Sequence, residues 1–245
     1  MPTIKLVLEY DGTTYVGWQR QPDRPTVQEA IEVAIFGVTQ THVPVIGAGR
    51  TDAGVHALGQ VASFRINRDM TPREWTRALN AHLPVSIVVR SAALMPDSFH
   101  ARHSAKGKLY EYRILNRLER PALARDYCWH IHQTLDDAAM NTAASHLIGT
   151  HDFSSFQTQP TENDDPICRL QQLVVAREGD QLRIEAYADR FLKQMVRSIV
   201  GTLVEVGLKK RPPGSLTTIL SARNRSAAGK TAPPQGLFLV RVDYQ

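Results

Sequence analysis

The sequence predicts an α+β fold built on a largely antiparallel sheet, and three observations carry that reading. Both halves of the chain mix segments of period-two apolar alternation with segments carrying a helical stripe. Two consecutive strand patterns, "ICRLQQLVVARE" and "DQLRIEAYA", meet at Gly179-Asp180, which has the chemistry of a hairpin turn. No repeat of fixed period runs through the sequence. Sequential strand pairing of this kind favours α+β over a strictly alternating parallel sheet.

The elements follow in order. Residues 3–10, "TIKLVLEY", place Ile4, Leu6, Leu8 and Tyr10 on one face, so they read as a strand. "DGTTYVGWQRQPDRP" is a long polar loop punctuated by Gly and Pro. "TVQEAIEVAIFGV" is a helix: Thr26 with Glu29 is a capping-box pattern, and Val27, Ala30, Ile31, Ala34, Ile35 and Val38 form a stripe. "QVASFRI" is a strand, followed by the helix "TPREWTRALNAHL", with Thr71 as cap, Pro72 in the first turn and Glu74 closing the box. "SIVVRSAAL" is a strand.

The second half begins with the strand "KLYEYRIL", whose Tyr110, Tyr112 and Ile114 share a face. "LDDAAMNTAASHLIGTHDF" is expected to be a helix capped near Asp136 and stopped by Gly149. After the hairpin, "FLKQMVRSIVGTLVEVGL" is the longest helical pattern, "GSLTTILSA" a short helix, and "GLFLVRVDY" a closing strand. Residues 157–166, "QTQPTENDDP", have no periodicity and are expected to form an exposed, mobile loop.

The 245 residues suffice for one large domain or two small ones. No apolar run is long enough to span a bilayer, and the N-terminus lacks the basic-then-apolar order of a signal peptide. Cys128 and Cys168 have no metal-type spacing and read as reduced thiols of a cytosolic protein. Lys and Arg number 29 against 24 Asp and Glu, a net charge of +5. Bases concentrate at Arg102, Lys106, Lys108, Arg113, Arg117, Arg120 and Arg125, and again at Arg190, Lys193, Arg197, Lys209, Lys210 and Arg211. Two such clusters fit an electrostatic footprint for nucleic acid, and fit equally a solvated charged surface.

The densest polar stretch is "GAGRTDAGVH", residues 47–56. It fails as a dinucleotide fingerprint, because Asp52 stands where the third glycine belongs and a strand, not a helix, follows. A P-loop would need Gly-Lys-Ser/Thr, which this stretch lacks. Asp52 with His56, and His100 with His103, lack the further ligands of a metal site, so no metal is expected. His56 reads as a polar side chain steadying the turn. An Asp in a Gly-rich turn is commonly a structural cap. A catalytic Asp must instead stay ionised despite desolvation, and a nearby guanidinium, from Arg50 or Arg197, would lower its pKa.

These segments also carry a resemblance. "EYDGTTYVGWQRQ", "TVQEAIE", "GAGRTDAGVHALGQVASF", "PDSFHARHSAKGKLYEYRI", "HDFSSF", "FLKQMVRSIVGTLVEVG" and "TAPPQGLFLVRVDY" resemble, in order, the signatures of the TruA family of tRNA pseudouridine synthases, from Glu9 to Tyr244. One departure is Arg190 before Phe191, where the family usually has a small residue. The resemblance implies isomerisation of uridine to pseudouridine at positions 38, 39 and 40 of the tRNA anticodon stem-loop. It implies a cytoplasmic homodimer that uses no cofactor and no metal and acts away from membranes. It also implies two related ferredoxin-like halves, 1–105 with the catalytic Asp and 106–245, sharing a mixed, mostly antiparallel sheet with helices on one face and a basic cleft between the halves.

By the same resemblance Asp52 is catalytic, Arg197 pairs with it, Arg50 helps hold the flipped-out nucleotide, and Tyr110 stacks on the uracil. The chemistry needs one ionised carboxylate, either to attack C1′ or to remove a ribose proton, and both roles fit Asp52. From pattern alone Tyr110 reads as a strand-core aromatic and Arg197 as a helix charge, although the apolar arc around Arg197 asks for a partner. Arg20 and Arg24, with the two basic clusters, are expected on phosphates. Two other readings compete. A non-catalytic RNA-binding relative would not need the carboxylate. A hydrolase using Asp52 with His56 or His100 would need a nucleophile motif that is missing.

Overall fold

A computed structural model describes residues 1–159 and 165–244. The chain forms two compact units: Met1–Lys106 together with the chain's end from Phe238, and Gly107–Leu237. Each is an α+β unit with a mixed, mostly antiparallel five-stranded sheet.

In the first unit, β1 (Thr3–Tyr10) is central. It pairs antiparallel with β3 (His56–Arg65) on one side and β4 (Ile87–Met95) on the other. The two-residue β2 (Ile46–Gly47) lies antiparallel to β3. The last strand, β10 (Leu237–Asp243), runs parallel to the start of β3, with Phe238 opposite His56. The alternation in β1 is realised in full: Ile4, Leu6 and Leu8 are completely buried and Tyr10 nearly so. Helices α1 (Val27–Thr39) and α2 (Pro72–His82) start where their caps predict. Thr26 accepts from the Glu29 amide, and Thr71 and Glu74 form the reciprocal capping box. Trp75 of α2 meets Phe64 edge-on at 5.4 Å, on the face that Ile4 shares. On the opposite face Val61, Ala48, Phe99 and Ala101 pack with Val7, Met95 and Tyr244.

The second unit orders its strands β5 (Gly107–Asn116), β9 (Gln181–Ala188), β8 (Ile167–Glu178) and β7 (Gly149–Asp152), all antiparallel. A short β6 (Trp129–Ile131) runs parallel to β5. The β8–β9 hairpin turns at Gly179, whose φ of 58° is the left-handed conformation glycine allows. Helices α3 (Asp137–Ser145), α4 (Met195–Gly207) and α5 (Ser215–Ala222) complete it.

Two expected helices are shorter than their patterns. The helix expected from a cap near Asp136 to a stop at Gly149 ends at Ser145, and Gly149–Asp152 is a strand pairing with Ile167–Leu170. Gly149 has φ 128°, which no helix accommodates, and the edge of β8 supplies the hydrogen bonds that the lost helical turns would have made. The helix expected from 191 begins at Met195, because Gln194 is left-handed at φ 59°. Its apolar character all round is explained by burial: Met195, Ile199, Val200 and Leu203 are sequestered. Of the loop expected over 157–166, residues 160–164 lie outside the described residues. Cys128 and Cys168 are free thiols, and burial pushes Cys168 up to about 11. Among the described residues, no helix is long and apolar enough to cross a membrane.

Candidate active site

Residues 47–56 form a tight turn between β2 and β3, and the polar loop after β1 is folded against it. The Trp18 amide donates to the Thr51 carbonyl at 3.0 Å, and the Gly54 amide donates to the Tyr15 carbonyl at 3.3 Å. Within the turn, the Val55 amide donates to the Asp52 carbonyl at 3.1 Å, and Gly54 takes φ 75°. The approach is close enough to require glycine on the other side too. Gly17 has φ 107°, and a Cβ there would stand 2.6 Å from the Thr51 carbonyl oxygen. Asp52 is half-buried at the apex, and Arg50 is exposed with its Nε donating to Gln19 Oε1 at 3.0 Å.

His56 is a strut of this turn. Its ring is buried, with Nδ1 3.0 Å from the Gly12 amide and 3.2 Å from Asp11 Oδ1, and it stacks on Phe238 at 4.8 Å. His100 is also committed: its Nδ1 accepts the amides of Arg102 and His103 at 3.2 Å each. Loss of water around the ring, then the charge of His103, holds His100 below its usual value.

Sequence reasoning did not find what lies under the turn. Tyr10 at the end of β1 sets its hydroxyl 2.8 Å from Thr51 Oγ1. Gln60 of β3, fully buried, donates to the Gly49 carbonyl at 2.9 Å. The signal was a glutamine inside an apolar strand, since a buried amide needs partners.

The other two expected site residues belong to the second unit. Tyr110 of β5 is mostly buried and meets Phe191 edge-on at 5.1 Å, with the ring planes at 86°. The left-handed turn at Gln194 is what separates Phe191 from the helix that follows. Arg197 lies in the first turn of α4, half-buried, its Nε donating to the Ala232 carbonyl at 2.8 Å. The Ala232 amide in turn donates to the Arg197 carbonyl at 3.0 Å. Burial pushes the neighbouring Tyr112 phenol strongly up, and the Arg197 charge opposes it. Tyr112 donates to the Pro233 carbonyl at 2.8 Å, so segment 232–233 is tied to both β5 and α4.

The basic clusters are partly neutralised. Arg113 pairs with Glu111, Arg125 with Asp126, Arg190 with Asp165 and Arg211 with Glu205. Arg20 reaches Glu32 at 3.3 Å. Arg102, Arg120, Lys209 and Lys210 are exposed. Among the described residues, no group of three or more His, Cys, Asp or Glu side chains is placed to hold a metal ion.

Comparison with known proteins bears on both units. A family model described as tRNA pseudouridine synthase matches residues 6–104 and 143–245. A protein of Thermoanaerobacter sp. (strain X514) named tRNA pseudouridine synthase A is 48% identical over 244 residues, covering all of both chains. A protein of the same name from Afipia carboxidovorans is 48% identical over 245 residues, again over all of both. One from Allorhizobium ampelinum is 45% identical, over all of this chain and 95% of the relative. Matched by the family model over most of its length and by these relatives over all of it, the chain belongs to the tRNA pseudouridine synthase A family.

Proposed function

We propose that this chain isomerises uridine to pseudouridine at positions 38, 39 and 40 of the tRNA anticodon stem-loop, with Asp52 as the catalytic carboxylate. The supporting observation is the turn at 51–54. Gly17 and Gly54 let two backbone segments close on it, so Asp52 is offered from a rigid mount beside the exposed Arg50. Fixed placement is what such chemistry needs, since misplacing a reacting group by an ångström can cost on the order of a hundredfold in rate.

The reaction breaks C1′–N1 and forms C1′–C5. C5 loses a proton and N1 gains one, so the product is an isomer. Asp52 serves by attacking C1′ or by taking a ribose proton, with the same overall balance. Tyr110 offers an aromatic face for the extruded uracil, and stacking of this kind is worth about 1–3 kcal/mol per base. Arg50 and Arg197 are the supporting cations, and the exposed bases position the phosphates. The same reading makes the protein a homodimer working in the cytoplasm, where its tRNA is.

The test is an unmodified tRNA transcript carrying U39, incubated with the protein and mapped for pseudouridine. Wild type should modify it. Asp52→Asn and Asp52→Ala should lose turnover while largely keeping tRNA affinity. A wild type that binds this tRNA and makes no pseudouridine would leave the RNA-binding reading in its place.

A further inference from the structure

We infer that Tyr10 and Gln60 are positioning residues that hold the Asp52 turn from beneath, through Thr51 and through the Gly49 carbonyl. This rests on Asp52 being the catalytic group. Both side chains point into the first unit's core, yet both spend their polar atoms on the turn. The Tyr10 hydroxyl lies 2.8 Å from Thr51 Oγ1, with both residues buried. Gln60 Nε2 donates to the Gly49 carbonyl at 2.9 Å, and its Oε1 accepts the Val61 amide at 3.1 Å. The turn is thus gripped at Gly49 and at Thr51, the residues flanking Arg50, and Thr51 immediately precedes Asp52.

The sheet is adjusted for this purpose. Along β1 and β3 the register is regular up to the pair Leu8–Gln60, then shifts by one, so that Tyr10 stands opposite Ala57. Shifts of this kind re-aim side chains next to functional sites. This one falls between Gln60 and the residues that pair with Tyr10. Burial also pushes the phenol up to about 12, so near neutral pH it is an O–H able to hydrogen-bond Thr51. In a core of aliphatic side chains, a phenylalanine and a leucine would pack as well, so packing alone does not account for a buried Tyr–Thr pair beside a buried Gln amide bonded to the turn.

The alternative is that the network only stabilises the fold, and kinetics separate the two. Wild type, Tyr10→Phe, Thr51→Val, Thr51→Ser, Tyr10→Phe/Thr51→Val and Asp52→Ala are compared for kcat, KM, tRNA Kd and Tm. A positioning role predicts that Tyr10→Phe and Thr51→Val each lower kcat about tenfold or more, with KM and Kd within about twofold. Thr51→Ser, which keeps the hydroxyl, should restore most of the rate. The double variant should be no slower than the worse single one, because both remove the same bond. Full kcat in Tyr10→Phe and Thr51→Val, with only Tm lowered, overturns the inference while Asp52→Ala stays inactive. An active Asp52→Ala would instead overturn the catalytic assignment beneath it. Should Tyr10→Phe fold poorly, Thr51→Val tests the same bond from the other side.

Discussion

Gly17 and Thr51 are in contact through backbone alone: a single methyl on Gly17 would fall 2.6 Å from the Thr51 carbonyl oxygen. The hydrogen bond from the Trp18 amide to that same oxygen, at 3.0 Å, makes the contact a clamp on the residue before Asp52.

Gly17→Ala should therefore harm both stability and activity. An alanine at φ 107° is strained by about 1–3 kcal/mol, and a backbone oxygen cannot rotate out of its way. A lowered urea midpoint with a loss of activity beyond that explained by unfolding is expected. Gly179→Asn is the control: its φ of 58° suits asparagine and nothing lies within 4 Å of a Cβ there, so little change is expected.

Gly201→Ala sets two effects against each other. In a helix interior alanine gains about 1 kcal/mol over glycine. At Gly201, however, the new Cβ would stand 1.7 Å from the Lys230 carbonyl oxygen, and overpacking of a tight core costs about 1–3 kcal/mol. Overpacking should win, because the obstruction is main chain. The variant should melt below wild type, and segment 230–232, which Arg197 holds, should exchange its amides faster.

His100 gives a pH dependence with a defined sign. Its folded value lies below the usual 6.5, chiefly because the ring is partly removed from water. The folded state therefore binds fewer protons than the unfolded chain. This contribution is complete above pH 6.5 and declines as pH falls through the folded value. Protonation would also take away the lone pair that accepts the Arg102 and His103 amides. Urea midpoints measured from pH 7.5 to 5.5 should fall less steeply in His100→Asn, whose amide oxygen can still accept.

Affinity for tRNA should fall steeply with salt, since the exposed bases are expected on phosphates. Lys209→Gln with Lys210→Gln should weaken every tRNA alike and reduce the slope of log K against log salt by about 1 for each lysine that no longer neutralises a phosphate. Selectivity for uridine should not change.

The secondary structure was legible wherever local chemistry is decisive. Thr71 and Glu74 define a helix start in sequence because the capping box is closed within four residues. Strand β1 shows itself because a half-buried strand alternates. Gly149 marked a stop for α3, but the earlier end at Ser145 and the strand after it were not legible: only the edge of β8 turns Gly149–Asp152 into a strand. The start of α4 was equally hidden, because a left-handed Gln194 has no glycine to announce it.

For the site, the sequence offered candidates rather than roles: an aspartate in a glycine-rich turn with an arginine two residues before it, an aromatic strand, and an arginine in an apolar helix, which only the family resemblance joins into one site. It also carried the family, through motifs from Glu9 to Tyr244 and relatives matched over the whole chain. Tertiary structure alone decided the mounting. Tyr10 and Gln60 reach the Asp52 turn only because β1 lies against β3 with a shifted register. His56 becomes a strut only because Gly12 and Phe238 close on it from distant parts of the chain. Local patterns report what the nearest few residues impose on one another. The grip on Thr51 joins residues 41 positions apart, and no window along the chain contains both ends of that bond.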